Sequence, residues 1–204
     1  MIQTATKLLT FEEFLKWKPE SGRYELHEGA IIEMQPTGKQ EEITGFLSTE
    51  LTLEFRRLSL PYFILKQALL KAPNRETGYS PDVLIVNRTS LATQPLWEKF
   101  STITQGAAVP LVVEVVSTNW RDDYLTKVRD YEEIGIPEYW IVDYLGLGGR
   151  RYIGSPKQPT IFIYYLVEGE YQVSQFRGAN CIESPTLPEL KLTAEQVFAA
   201  GNQA

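Results

Sequence analysis

The stretch Pro110-Leu111-Val112-Val113-Glu114-Val115-Val116-Ser117 decides how the chain is read. Apart from Glu114 it is apolar at every position from Leu111 to Val116, the pattern of a strand covered on both faces. A charge inside such a run needs a physical reason. Beyond Ser117 a helix is expected over residues 122–134, closed by Gly135, and then a strand over residues 138–142. Strand, helix, strand reads as a crossover unit.

Working outward, Thr10 and Glu13 form a capping box that opens a short helix carrying Phe14, Leu15 and Trp17. Residues 23–34 read as an N-terminal hairpin turning at Glu28-Gly29. Ile43, Leu47, Leu51, Phe55 and Leu58 fall on one helical stripe, and Pro61 ends it. Residues 62–72 and 82–86 read as strands joined by a polar loop over residues 73–80. Residues 144–159, rich in Gly and Pro, read as a loop, and a C-terminal hairpin turns at Glu168-Gly169. Thr193 and Gln196 cap a final short helix. With no repeat, low-complexity segment or long linker, the expectation is one α/β domain over residues 1–204 with a mixed sheet.

Composition bounds the chemistry. A chain of 204 residues, 43% of them hydrophobic, supports a sizeable core. Its 20 Lys+Arg against 26 Asp+Glu leave a net charge of −6, so no general basic field exists for nucleic acid or anionic lipid. Any polyanion must be gripped locally. One cysteine, Cys181, and one histidine, His27, exclude a disulfide framework and the usual structural zinc sites, which fits a reducing, cytoplasmic setting. No apolar run is long enough to span a bilayer, and Met1 to Thr10 lack the pattern of a signal peptide, so neither membrane insertion nor secretion is expected. His27, beside the Glu28-Gly29 turn, is expected to be solvated rather than catalytic, and Cys181 to pack as a small apolar residue.

Three ionisable residues remain where a core would prefer none: Asp82 after Pro81, Glu114 in its apolar strand, and Lys127 in the following helix. Tyr124, Val128, Tyr131 and Ile134 define the apolar side of that helix. Lys127 falls about 40° from Tyr131, inside the stripe and away from Asp123 and Asp130. A lysine aimed at a sheet that carries acids is costly unless the charges meet each other or a cation. Two carboxylates at adjacent strand ends offer hard oxygen ligands for Mg²⁺ or Mn²⁺. Such an ion lowers the pKa of water and neutralises a phosphodiester, while an ammonium steadies the attacking hydroxide or the developing oxyanion. Phosphodiester hydrolysis needs this set.

On these residues the chain resembles the Uma-type family of putative restriction endonucleases, within the PD-(D/E)xK nuclease superfamily. The matching elements are Pro81-Asp82, Glu114-Val115-Val116-Ser117, residues 122–127, Tyr131, Gly135 and residues 138–143. Tyr24-Glu25-Leu26, Glu28-Gly29 and Pro188-Glu189-Leu190 also match, so the resemblance runs over residues 10–198. It implies a restriction-endonuclease-like fold, a central mixed β-sheet flanked by helices, with Asp82 and Glu114 as metal ligands. The superfamily's usual lysine position is Val116 here, and Lys127 is the substitute the resemblance offers. The resemblance also implies Glu25 as an outer carboxylate. Where relatives often carry a histidine near the start of the second helix, this chain has Gln40.

Other features favour plainer readings. The Gly146-Leu147-Gly148-Gly149 run fits no phosphate-binding motif and reads as a flexible loop with no helix behind it. Arg150, Arg151 and Lys157 form a small basic patch, and Trp120 and Arg121 sit at the mouth of the expected site, either as a base stack and phosphate grip or as packing at a helix start. Asp143 reads as a turn-forming acid. The functional expectation is a metal-dependent endonuclease acting on DNA, with a basic surface assembled locally or across a homodimer. The alternatives are a catalytically silent nuclease-like binding or oligomerisation module, supported by Val116 and the low pI, and a hydrolase of smaller phosphoesters.

Overall fold

A computed structural model describes residues 7–19 and 21–201 of the chain. Most of the Met1-to-Thr10 stretch considered for a leader therefore lies outside the described residues. Helix α1 (Phe11–Trp17) starts on the expected capping box of Thr10 and Glu13. Strands β1 (Arg23–His27) and β2 (Ala30–Met34) form the N-terminal hairpin, and α2 (Gly38–Arg57) buries the Ile43, Leu47, Leu51 and Phe55 stripe. Next come β3 (Tyr62–Leu65), β4 (Leu69–Lys71), β5 (Gly78–Tyr79) and β6 (Val83–Asn87), then the short α3 (Arg88–Leu91), α4 (Trp97–Phe100) and β7 (Thr102–Ile103). The crossover unit is β8 (Leu111–Val115), a π-helical turn (Asp122–Thr126), α5 (Lys127–Ile134) and β9 (Glu138–Asp143). A four-residue α6 (Arg150–Ile153), the hairpin of β10 (Thr160–Val167) and β11 (Glu170–Phe176), and α7 (Ala194–Ala200) complete it.

These strands form two mixed sheets. The larger has the order β11-β10-β9-β8-β6-β3, with β8 and β9 parallel, as the crossover requires. The smaller has the order β2-β1-β5-β4-β7. Side chains alternate across a strand, so β8 sends Val113 and Val115 into the core beneath α2 and α7, and Val112 and Val116 into the core beneath α5. Glu114 shares the parity of the second pair and points at α5.

Several local expectations change. Residues 62–72 are not one strand: β3 pairs with β6 in the larger sheet, while β4 pairs with β5 and β7 in the smaller. Both halves are apolar, β3 half-buried and β4 mostly buried, so the pattern hides the corner at Lys66-Gln67-Ala68. The polar loop over residues 73–80 contains β5, a strand of two residues. A short helix, α6, does follow the glycine run, with Gly149 at its N-cap. Cys181 is exposed rather than packed: it bridges Thr193, and the alternation buries its neighbour Ile182 instead.

Candidate active site

Glu114 is only 2% exposed and meets two donors from the helix above it. The Tyr131 hydroxyl donates to its Oε1 at 2.6 Å, and Lys127 Nζ lies 3.0 Å from the same oxygen. Lys127 begins α5 and is itself 2% exposed, pointing inward as its helical phase predicts. Its ammonium is also 3.4 Å from Asp123 Oδ1 and 3.6 Å from Glu25 Oε1, and 5.6 Å from the Tyr79 ring centroid. The expectation that Lys127 points away from Asp123 is therefore wrong. Residues four apart share a helix face, and the π-turn places Asp123 on the buried side. Asp130 is buried as well, bound by Arg75, Arg129 and the Tyr79 hydroxyl.

Asp82 sits one residue before β6. The antiparallel ladder of β6 and β8 runs only to Val83↔Val113, while the Val116 amide goes to Val142 on the other side. The Val115 amide thus faces a gap in the ladder, and Asp82 Oδ2 accepts from it at 2.8 Å. The second oxygen, Oδ1, accepts from both terminal nitrogens of Arg23 at 3.1 Å. Arg23 also donates to the Ser80 carbonyl at 2.6 Å, and its Nε is buried with no partner. Nothing in the sequence singles out Arg23, because the first residue of a hairpin strand looks like surface.

Glu25 is 1% exposed and binds at both oxygens. Oε1 accepts from the Ser80 amide at 2.9 Å, and Oε2 lies 2.7 Å from His27 Nε2. Two residues apart on β1, Glu25 and His27 share a face. The histidine is half-buried there, its ring edge-on to Tyr79, rather than solvated in the turn. Together Arg23, Glu25, Asp82, Glu114, Asp123 and Lys127 line a cavity of about 230 Å³, so all four residues expected from the sequence meet in one place.

One buried ammonium here faces several carboxylates, and they share it unequally. Burial works against the charge on Lys127, but Glu114, Glu25, Asp123 and Asp82 hold it well above the ordinary lysine range. Burial also opposes charge on Glu25, yet Lys127, His27 and the Ser80 amide outweigh it and keep that carboxyl low. Glu114 and Asp123 lose the competition. Burial, partly offset by Lys127 and reinforced by the neighbouring acids, pushes Glu114 up to about 8 and Asp123 up to about 7.

The Uma2 family, described as "Putative restriction endonuclease", matches residues 11–195. The chain belongs to the Uma2 family. No curated protein matches it. The Uma2 chain is similar to the crystal structure of a putative nuclease belonging to DUF820 from Anabaena variabilis, at a TM-score of 0.71 and 17% identity. That likeness covers 95% of this chain and 99% of the other, and at such identity it shows a shared restriction-endonuclease-like fold.

Do the residues of this Uma2 chain suit a divalent cation? Among the described residues, no group of three His, Cys, Asp or Glu side chains is arranged to hold an ion as it stands. A magnesium ion does not require such a cage, since one or two carboxylates with water and substrate oxygens satisfy its octahedron. The donors around the cavity are hard carboxylate oxygens. Four carboxylates, from Glu25, Asp82, Glu114 and Asp123, stand against Arg23 and Lys127, and the surplus negative charge adds to burial in raising Glu114 and Asp123. The donor chemistry fits a hard dication.

The secondary features resolve toward packing. Val116, where the resemblance leads one to look for a lysine, is buried in the core under α5. Gln40 caps α2 and donates to the Val115 carbonyl at 3.3 Å. Asp143 forms the turn expected of it, accepting from the amides of Leu147 and Gly148 and from the Tyr124 hydroxyl.

Proposed function

We propose that this Uma2 protein is a metal-dependent endonuclease, one restriction-endonuclease-like domain that hydrolyses DNA phosphodiester bonds. Asp82 and Glu114 hold Mg²⁺ or Mn²⁺, Lys127 is the catalytic ammonium, and Glu25 is the outer carboxylate. The observation that carries this reading is the meeting of Lys127 with Glu114 at 3.0 Å on the wall of a cavity that Asp82 also lines.

When bound, such an ion supplies charge neutralisation on the phosphodiester and a nucleophilic water near neutral pH. The remaining work belongs to the chain. Lys127, kept protonated by its acidic surroundings, donates to the attacking oxygen or to the charge that develops on the phosphate. Tyr131 fixes Glu114 by donating to the oxygen that Lys127 also meets, and His27 fixes Glu25 through its other oxygen. Burial of Glu114, Asp123 and Lys127 excludes bulk water and strengthens each of these interactions.

A second reading has one observation in its favour. Arg23 takes Asp82 Oδ1 with both terminal nitrogens, and a site neutralised internally is what a catalytically silent module would have. Supercoiled plasmid and a small aryl phosphodiester, each incubated with the protein and Mg²⁺, separate the possibilities. Nicking of the plasmid with EDTA-sensitive kinetics is expected. Turnover of the small ester alone supports the smaller-phosphoester hydrolase, and turnover of neither supports the silent module.

A further inference from the structure

Beside the cavity lies a group of cations that the chemistry above does not use. Arg121 lies over the Trp120 ring, 4.6 Å from its centroid, and Arg151 over the Tyr152 ring at 4.5 Å, with its terminal nitrogen also on the Tyr152 hydroxyl. The two rings meet edge to face at 6.3 Å, and both contact Tyr124. Gly149 lets this happen, since a Cβ there would lie 2.9 Å from the Trp120 ring. The result is one shelf with two guanidinium groups fixed on it, flanked by the exposed Arg150 and Lys157.

The shelf's cations stand without carboxylate partners, as Arg56, Arg88 and Arg177 also do among the described residues, and what sets the shelf apart is its place beside the cavity. Arg23, Arg57, Arg75 and Arg129 are all paired with carboxylates, whereas none of Arg121, Arg150, Arg151 and Lys157 has an ion pair among the described residues. The nearby acids are occupied elsewhere: Asp122 accepts from Asn119, and Asp143 from its own turn. A net charge of −6 does not cancel such a cluster, because charges beyond about 10 Å are largely screened at physiological salt. The shelf also adjoins the cavity, whose wall includes Asn119, Asp122 and Asp123 on either side of Trp120 and Arg121.

We propose that this shelf grips the phosphate backbone of DNA as it enters the cavity, an assignment that rests on the nuclease reading of that cavity. The rings serve as supports for cations rather than as platforms for bases, since Arg121 lies over Trp120 and that ring meets Tyr124 and Tyr152 in T-shaped contacts. A guanidinium fixed in place loses little entropy on binding a phosphate and presents a fork that matches its oxygens. A rival basic recess, lined by Lys16, Lys71 and Lys99, is interleaved with Glu12 and Glu76. It lies across the smaller sheet from the cavity: Gly78 faces Phe11 there, whereas Glu25, His27 and Tyr79 face Lys127.

Fluorescence anisotropy of a labelled DNA duplex, over a salt series without divalent metal, tests the assignment in the Glu114→Gln background. Arg121→Gln with Arg151→Gln should weaken binding about tenfold at low salt and make the log–log salt slope shallower by about 2, close to 0.9 per lost phosphate contact. Lys16→Gln, Lys71→Gln and Lys99→Gln together should leave the slope unchanged. Arg121→Lys with Arg151→Lys should retain the slope, which separates lost charge from lost ring packing. DNA binding that ignores the shelf, that depends on the three lysines, or that falls equally in the lysine-for-arginine variant overturns the shelf and leaves the nuclease reading standing. No DNA binding by any of the proteins, either without metal or with Ca²⁺ added, overturns both.

Discussion

The Nζ of Lys127 lies 3.0 Å from Oε1 of Glu114, joining the first residue of α5 to the middle of the most apolar strand in the protein. A charge at each position is costly alone; together, and with Tyr131 on the same oxygen, each explains the other. Replacing Lys127 by Met removes the only lysine of the cavity and leaves Glu114, Asp123 and Glu25 facing one another. Unfolding in urea should show a loss of about 3 kcal/mol at pH 8 and less at pH 6, where protonation relieves the crowding. Cleavage by the folded variant should fall by roughly two to three orders of magnitude.

Tyr131 offers a milder perturbation. Tyr131→Phe deletes one hydrogen bond to a buried carboxylate and leaves the ring in place against Tyr79 and Tyr139. A stability loss of about 1–2 kcal/mol is expected, with Lys127 still seated on Glu114. Chemical denaturation of the two proteins side by side measures it.

The raised carboxyls give the metal-free protein a definite pH dependence. Glu114 moves from 4.5 in the unfolded chain to about 8, and Asp123 from 3.8 to about 7. The folded protein therefore holds more protons than the unfolded one in this window, so stability present below the unfolded values is lost as pH rises through 7 and 8. Melting temperatures in EDTA should fall between pH 6 and pH 8. In Glu114→Gln the fall should be smaller, because one of the two groups no longer titrates.

Glu138 provides the control for these effects. It too is a buried acid on the larger sheet, raised by burial, but it faces the core under α2, where Trp140 Nε1 donates at 2.5 Å and the Thr186 amide at 2.7 Å. Glu138→Gln turns an acceptor against one of those donors and should cost about 1–3 kcal/mol. The cleavage rate of the folded protein should not change, which a plasmid assay at a temperature below its melting point checks.

What the sequence makes legible follows from contrast. Glu114 stands out because every neighbour on its strand is apolar, and Lys127 because a 3.6-residue period fixes its direction. Asp82 and Glu25 emerge through their place in an ordered set of motifs. Arg23, Asp123 and His27 do not: the partner of Arg23 is distant in sequence, that of Asp123 is set by a π-turn that periodicity does not announce, and His27 borders a turn that makes it look like surface. The second sheet is hidden for a related reason. Its strands β5 and β7 are two residues long, too short to show an alternation, and β4 continues an apolar run begun in the other sheet.

In the proposed function, the Asp82, Glu114 and Lys127 cluster cleaves DNA with the help of a divalent cation. Nicking of supercoiled plasmid in Mg²⁺ by the wild-type protein and by Glu114→Gln, with matched melting curves, tests it most directly. The wild type should nick the plasmid and stop when EDTA is added, while the variant should be folded and slower by at least about 100-fold. Equal nicking by the two proteins would contradict the assignment.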